Sequence, residues 1–449
     1  MMKLKLITLL ICIGVLAQAQ DWKPLFNGKD LSGWEIRGGE ATYAIEGNTV
    51  IGTTKGRLNT FLSSKKEYGD FILELELFVD PSMNSGIQIR SHEGERVFGY
   101  QIEIDPEARA WSGGFYDEGR RGWLYPVSLN PPGRKAFKNG VWNTYRIEAI
   151  GSSFRVWVNG ICTSATLDDM DATGFIGLQV HGIGPQKTPG TQIKWRNIRI
   201  LTDDLEAHRT PIPNSMYELN LLGTGLTDME KRKGFRMLWD GESSNGWRKV
   251  HGDKFPDGKW TMKNGELTVG ASSGEGSGDG QDIITEEEFE NFELTLQYKI
   301  TEGANSGIKY FVDESVNPNG GAIGLEFQIL DNKSHPDANN GVNGNRKQGA
   351  LYDLIPTENL SWGPTGQQYN KPVGRWNHVR IISKNGHVEH WLNGFKVVEY
   401  DRFSQVFRTL VSRSKYKDWK NFGQGKTGHI VLQDHGNEVS YRSIKIREF

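Results

Sequence analysis

The chain has 449 residues, with 53 Lys and Arg against 55 Asp and Glu and a formal net charge of −2. That balance excludes the basic surface a nucleic-acid partner requires. A composition of 24% charged and 36% hydrophobic residues excludes a disordered chain and a bundle of membrane helices. Fifty-five Gly and 14 Trp point to short strands and tight turns.

The first element is an export signal, residues 1–19. Lys3 and Lys5 precede an apolar run from Leu6 to Leu16, too short to span a bilayer, and Ala17-Gln18-Ala19 is a small-x-small cleavage site. The expected mature protein is exported, to the periplasm or beyond. Cys162 is then the only mature cysteine, which excludes an internal disulfide or a cysteine metal cluster. On a β-like run it reads as a small buried hydrophobe.

The chain repeats itself. Leu25-Phe26-Asn27-Gly28 with Gly33-Trp34 returns as Leu238-Trp239-Asp240-Gly241 with Gly246-Trp247. Asn84-Ser85-Gly86-Ile87 returns as Asn305-Ser306-Gly307-Ile308, and Phe115-Tyr116-Asp117 as Leu351-Tyr352-Asp353. Trp157-Val158-Asn159-Gly160 returns as Trp391-Leu392-Asn393-Gly394, and Leu178-Gln179-Val180-His181-Gly182 as Leu432-Gln433-Asp434-His435-Gly436. The offset runs from 213 to 254 residues, so order is kept while loops change length. Two tandem domains are expected, 21–201 and 233–449. A linker, 202–232, contains Pro211 and Pro213 and ends in a short helix capped at Thr227 with Glu230 three residues on.

Within each domain the hydrophobic period is two. Phe71-Ile72-Leu73-Glu74-Leu75-Glu76-Leu77 alternates, as does Phe292-Glu293-Leu294-Thr295-Leu296-Gln297-Tyr298. Strands entering Asn-Gly turns at Asn159-Gly160 and Asn393-Gly394 add to an all-β reading, a two-sheet jelly roll with one concave polar face.

Polar residues at spacing two converge on one face of a strand. In the first domain these are Gln88 and Arg90, then Gln101, Glu103 and Asp105, then Gln179 and His181. In the second they are Lys309, then Glu326 and Gln328, then Gln433 and His435. Solvated edge strands are the alternative for any single strand. Three such strands in each of two domains favour a site. Asp117 and Asp353 follow Tyr116 and Tyr352 in loop-like stretches, as bases or as turn caps. Trp111 lies in an Arg- and Gly-rich loop, to stack on a sugar ring or to fold against its own core. Asp331, His335 and Asp337 offer O and N ligands to a divalent metal ion.

The ordered motif set resembles the 3-keto-α-glucoside 1,2-lyase / 3-keto-2-hydroxyglucal hydratase domain family, also catalogued as 3-keto-disaccharide hydrolase. It does so twice: in Phe26-Asn27-Gly28-Lys29-Asp30-Leu31-Ser32-Gly33-Trp34, in Asn-Ser-Gly-Ile, in the strands through Glu103 and Glu326, in Gly349-Ala350-Leu351-Tyr352-Asp353 and in Leu-Gln-x-His-Gly. The resemblance implies a concanavalin A-like jelly roll and a small-molecule 3-keto sugar substrate made by a separate oxidoreductase. It implies chemistry in which the C3 ketone acidifies C2–H, a base removes that proton and the C1 group is eliminated. Water added to the enone completes a net hydrolysis. On this reading His181 and His435 move protons, with Glu103 and Glu326 the next carboxylates and Asp117 and Asp353 alternative bases. Arg90 and Lys309 stabilise the enolate, and Gln101, Gln179, Gln328 and Gln433 orient hydroxyls. The two copies differ, because Gln101 and Glu103 align with Glu326 and Gln328, and Arg90 aligns with Phe311. The sites have diverged, or one is a binding remnant. The rival readings are a lectin-like tandem module without chemistry and an ordinary glycoside hydrolase.

Overall fold

The computed structural model describes residues 22–184, 189–272, 280–361 and 369–449. The expected signal segment, 1–19, lies outside the described residues. Two all-β units follow each other along the chain, each a concanavalin A-like jelly roll of two antiparallel sheets stacked face to face. In the first unit, the back sheet is centred on Asn143–Ile150, Phe71–Val79 and Gln192–Leu201. The front sheet runs in the order Gly122–Tyr125, Phe115–Glu118, Val97–Ile104, Ser85–Glu93, Phe175–Val180, Thr60–Ser64, Trp34–Gly38. In the second unit the back sheet is centred on Val439–Glu448, Phe292–Ile300 and Asn377–Lys384. Its front sheet runs Trp247–Lys249, Ile283–Thr285, His429–Leu432, Asn305–Val312, Leu325–Leu330.

The alternation decides which face each strand buries. Along Phe71–Val79, Leu73, Leu75 and Leu77 point into the sandwich and are buried. Glu74 and Glu76 point outward, accepting from Arg146 at 2.6 Å and from Arg196 at 2.7 Å. Each buried leucine contributes about 1.5–3 kcal/mol, and an exposed ion pair at most about 1 kcal/mol, so the apolar side sets the register. Leu75→Asp would break it. Cys162 is buried and unpaired.

The segment between the units is tied to both. Thr210 N–H donates to Glu148 Oε1 at 2.9 Å, and Leu219–Asn220 adds a parallel strand beside Ile161–Leu167. Helix Asp228–Arg232 carries a full capping box. Thr227 Oγ1 accepts from Glu230 N–H at 3.0 Å, and Glu230 Oε2 accepts from Thr227 N–H at 2.8 Å. Lys445 of the second unit donates to the other oxygen of Glu230 at 2.9 Å. The units also pack directly. Trp111, Trp123 and Val127 join the apolar core of the second unit, with the Trp111 ring 5.8 Å from that of Phe395.

Candidate functional site

The repeated Asn-Ser-Gly motif builds the same local structure on both concave sheets. Ser85 Oγ donates to Gln179 O at 2.6 Å, and Ser306 Oγ donates to Gln433 O at 2.7 Å. Each serine therefore clips the middle strand to its neighbour. The glycine that follows leaves room for the side chain across the ladder. A Cβ on Gly86 would lie 2.4 Å from Gln101 Cδ, and one on Gly307 would lie 2.2 Å from Glu326 Oε1. The register then fixes the equivalences. Gln88 faces Gln101 as Lys309 faces Glu326, and Gly86 faces Glu103 as Gly307 faces Gln328. Gln179 and Gln433 each follow the leucine paired across that middle strand.

On the first concave face, Gln88, Gln101, Glu103 and Gln179 are buried together. Gln88 and Gln179 both donate to Gln101 Oε1, at 2.8 and 2.9 Å. Gln101 donates on to Glu103 Oε2 at 3.1 Å, and Asn84 and Arg109 donate to Glu103 Oε1 at 2.7 and 3.2 Å. Burial pushes the Glu103 carboxyl up to about 7, against the pull of Arg109 and Asn84. Tyr116 stands half-buried at the rim, edge-on to Trp123.

The second face carries charge instead. Glu326 and Lys309 are 6% and 7% exposed and sit opposite each other in register. Burial raises the Glu326 carboxyl, while Lys309, Lys415 and His435 lower it and Asp282 reinforces the rise. Lys309 Nζ donates to Ala322 O at 3.0 Å and lies 3.7 Å from Asp282. With its amide oriented to satisfy its neighbours, Gln328 donates to Glu326 Oε1 at 3.1 Å and to Ser306 O at 3.0 Å. Asn305 Nδ2 lies 3.5 Å from His435 Nε2, and the His335 and His435 rings are 6.3 Å apart. Burial and the neighbouring His435 lower the His335 imidazole. The Lys415 ammonium lies 4.0 Å above the Tyr352 ring, and burial lowers it in spite of Glu326. A buried carboxyl beside two lysines and an imidazole can divide donor and acceptor roles.

Several expected site residues stand elsewhere. Arg90 has a positive φ of 43° in a β-bulge, where the register shifts between Ile89 and His92. Its guanidinium leaves the concave face and donates to Gly69 O and Gly151 O, both at 2.8 Å, and to Asp70 at 2.9 Å. Phe311 occupies the same bulge in the second unit, with φ 53°. Asp117 lies one residue past Tyr116 and so points away from the face. It accepts from Arg120 at 2.8 Å and from Arg121, and is fully buried. Asp353 accepts from Arg346 Nε at 2.7 Å and from Lys415 N–H at 2.8 Å, so it anchors the loop bearing Lys415. Trp111 is fully buried in the inter-unit core and offers no face to a sugar. His181 is exposed at the strand end, with Nδ1 2.7 Å from Gly182 O.

The suggested metal ligands do not converge. Asp331 accepts from the N–H groups of Gly303 and Lys333, at 2.9 and 3.0 Å, as a turn cap. His335 Nδ1 accepts from Asp337 N–H at 3.1 Å, and Asp337 accepts from Tyr352 at 2.7 Å and Arg346 at 3.0 Å. Among the described residues, the group of three acidic and His side chains whose ligand atoms do come within 4.8 Å of one another is His387, Glu389 and Glu399, on the back sheet. A groove of about 1040 Å³ also lies on a back sheet, beneath the linker, lined by Trp157, Ile161 and Pro211. It touches none of the residues of the two concave faces.

Lys415 is the residue that sequence reasoning missed. It sits after helix Gln405–Ser412, in a stretch between Phe395–Asp401 and His429–Leu432 that is a short turn in the first unit. The jump in repeat offset from 234 to 254 residues marks that insertion.

Residues 21–201 and 234–447 each match the 3-keto-alpha-glucoside-1,2-lyase-like domain family. Over 235 residues, 48% of this chain and 78% of the relative, the sequence is 34% identical to a 3-keto-disaccharide hydrolase of Bacteroides thetaiotaomicron. Two solved structures from Parabacteroides distasonis are 28% and 27% identical. They cover 50% and 46% of this chain and 98% and 100% of their own, with TM-scores of 0.43 and 0.33. The chain belongs to the 3-keto-alpha-glucoside-1,2-lyase-like family and carries two copies of its domain.

Proposed function

We propose that this member of the family is an exported enzyme that cleaves the glycosidic bond of a 3-keto-glucoside, and that the second domain does the chemistry. Family membership and the name of the Bacteroides thetaiotaomicron relative support a glycoside-cleaving enzyme. The observation that carries the assignment is the buried Glu326 carboxyl set among Lys309, Lys415 and His435.

The ketone at C3 makes C2–H acidic. His435 takes that proton, and the electron pair left on C2 delocalises into the C3 carbonyl. Lys415 and Lys309 stabilise the enolate oxygen. The pair then forms the C1=C2 bond as the C1–O bond breaks, and Glu326, as the general acid, gives a proton to the departing oxygen. Addition of water at C1, with a proton returned to C2, converts the enone to the free 3-keto sugar. No oxocarbenium ion is formed, so the carboxylate spacing of ordinary glycosidases is not required.

The test is a 3-keto-glucoside with a chromogenic aglycone, given to the mature protein in heavy water with and without chelator. Aglycone release with deuterium entering C2 supports elimination, and chelator sensitivity reports a metal. Release from the unoxidised nitrophenyl glucoside would move the reading to an ordinary glycosidase. Binding without release from either would move it to a lectin.

A further inference from the structure

We infer that the concave face of the first domain is a separate, non-catalytic binding site for a neutral sugar with its hydroxyls intact, an unoxidised glucoside. The inference rests on the catalytic reading of the second face for the contrast between the two, but its own support is local.

Both charged rungs of the second face are amides in the first. Gln88 stands for Lys309 and Gln101 for Glu326. The short turn that replaces the Lys415 insertion removes the other ammonium group. What remains has no lysine, and its one acid, Glu103, is tied to Arg109, which Asp105 also holds, within a fixed hydrogen-bonding network. Ser91 donates to Gln88 Oε1 at 2.7 Å, Gln88 and Gln179 donate to Gln101, and Gln101 donates to Glu103. Every amide is therefore held in one orientation before a ligand arrives, which reduces the ordering cost of binding.

One buried atom of this network is left without a hydrogen-bond partner. Gln179 Oε1 belongs to a fully buried side chain and accepts no hydrogen bond among the described residues. A buried acceptor left unmade costs about 1–3 kcal/mol, so a donor that reaches it is strongly favoured. A sugar hydroxyl is such a donor, and it can accept in turn from a neighbouring amide. Tyr116, across the ladder from Gln101, offers an aromatic edge at the rim. A 3-keto group gains nothing special here, because no ammonium group stands ready for an enolate. The chemistry points to hydroxyl recognition of a neutral sugar.

The experiment is titration of methyl α- and β-glucoside into the full mature protein, followed by calorimetry and ligand-observed NMR. The wild type should bind one of them with a Kd of about 10 mM or tighter. Glu326→Ala should keep that affinity, while Gln179→Leu and Tyr116→Ala should each weaken it at least about tenfold. Tyr116 is half-buried, so its variant reads the site if Gln179→Leu fails to fold. Absence of binding in the wild type, or unchanged affinity in both first-domain variants, overturns the inference. Loss of binding in Glu326→Ala alone places the sugar on the second face and also overturns it. Failure of the 3-keto-glucoside to be cleaved, with methyl glucoside binding still lost in Gln179→Leu, removes the catalytic reading and leaves this one standing.

Discussion

Lys309 stands directly opposite Glu326 in the paired strands of the second concave sheet, and both side chains are almost fully buried. The same rungs in the first sheet hold Gln88 and Gln101. One pair of exchanges replaces the opposed lysine and glutamate by two amides without altering the strands beneath. Glu326→Gln keeps the shape and removes the titrating proton. It should lower kcat on a 3-keto-glucoside by about 10²–10⁴-fold, while Glu103→Gln in the first domain should lower it far less. Steady-state kinetics on both variants checks this. Equal losses would place chemistry on both faces.

Gly307 leaves room for the Glu326 side chain across the ladder. A Cβ there would lie 2.2 Å from Glu326 Oε1, so Gly307→Ala must push the carboxylate aside. The backbone at Gly307 is an ordinary strand, and the fold should survive. A displacement of about 1 Å at a reacting group costs about 10²-fold in rate. The expected result is a folded protein with a large loss of kcat and a near-wild-type melting curve.

Much of this was legible in the sequence. Period-two alternation gave the strands, and the ordered repeat gave two copies, with Gln179 matching Gln433 and Gln101 standing where Glu326 does. Strand parity failed where the backbone departs from regular pleating. At Arg90 a bulge rotates the side chain off the face predicted for it. Asp117 was tied to Tyr116 as a motif although neighbouring strand residues point to opposite faces. Trp111 looked like a loop aromatic because composition cannot show that a second domain will cover it. Lys415 has no periodic signal, since it reaches Glu326 from an insertion remote in sequence.

The Lys415 loop is held by Asp353, which accepts from the Lys415 backbone N–H. Lys415→Met should retain the hydrophobic stem over Tyr352 and remove only the charge. On the proposed mechanism, in which Lys415 stabilises the enolate, kcat should fall about 10–10³-fold with a smaller change in KM. Asp353→Asn should give a weaker version of the same loss. A change confined to KM would make Lys415 a substrate-binding residue with no role in the chemical step.

Glu103 gives the first domain a pH signature. Its carboxyl is raised from 4.5 to about 7 in the folded protein, first by burial. Below about pH 4.5 the folded and unfolded states are both protonated and the group is neutral in its effect. As pH rises from about 4.5 to 7, the unfolded chain releases the proton and the folded chain holds it, so stability falls. The full loss, on the order of 3 kcal/mol, is present above pH 7. Glu103→Gln should flatten this slope and raise the melting temperature of the first domain above pH 7, offset in part by the carboxylate partner that Arg109 loses. Calorimetry from pH 4.5 to 8 reads the slope directly. A wild-type melting temperature that rises steadily across that window would show Glu103 to be ionised and held by Arg109.

Trp111 closes the contact between the two domains, edge-on to Trp123 at 4.7 Å and packed on Phe395. Removing a fully buried indole leaves a large cavity, and Trp111→Ala should cost about 3–5 kcal/mol. In a domain of this size that corresponds to a fall of about 10 °C in melting temperature. Because its neighbours belong to both units, the loss should also separate their unfolding into two calorimetric transitions. Phe395→Ala, on the other side of the same contact, should do the same, and the double variant should fall short of the sum. A small loss confined to the first transition would mean that the indole packs only against its own domain.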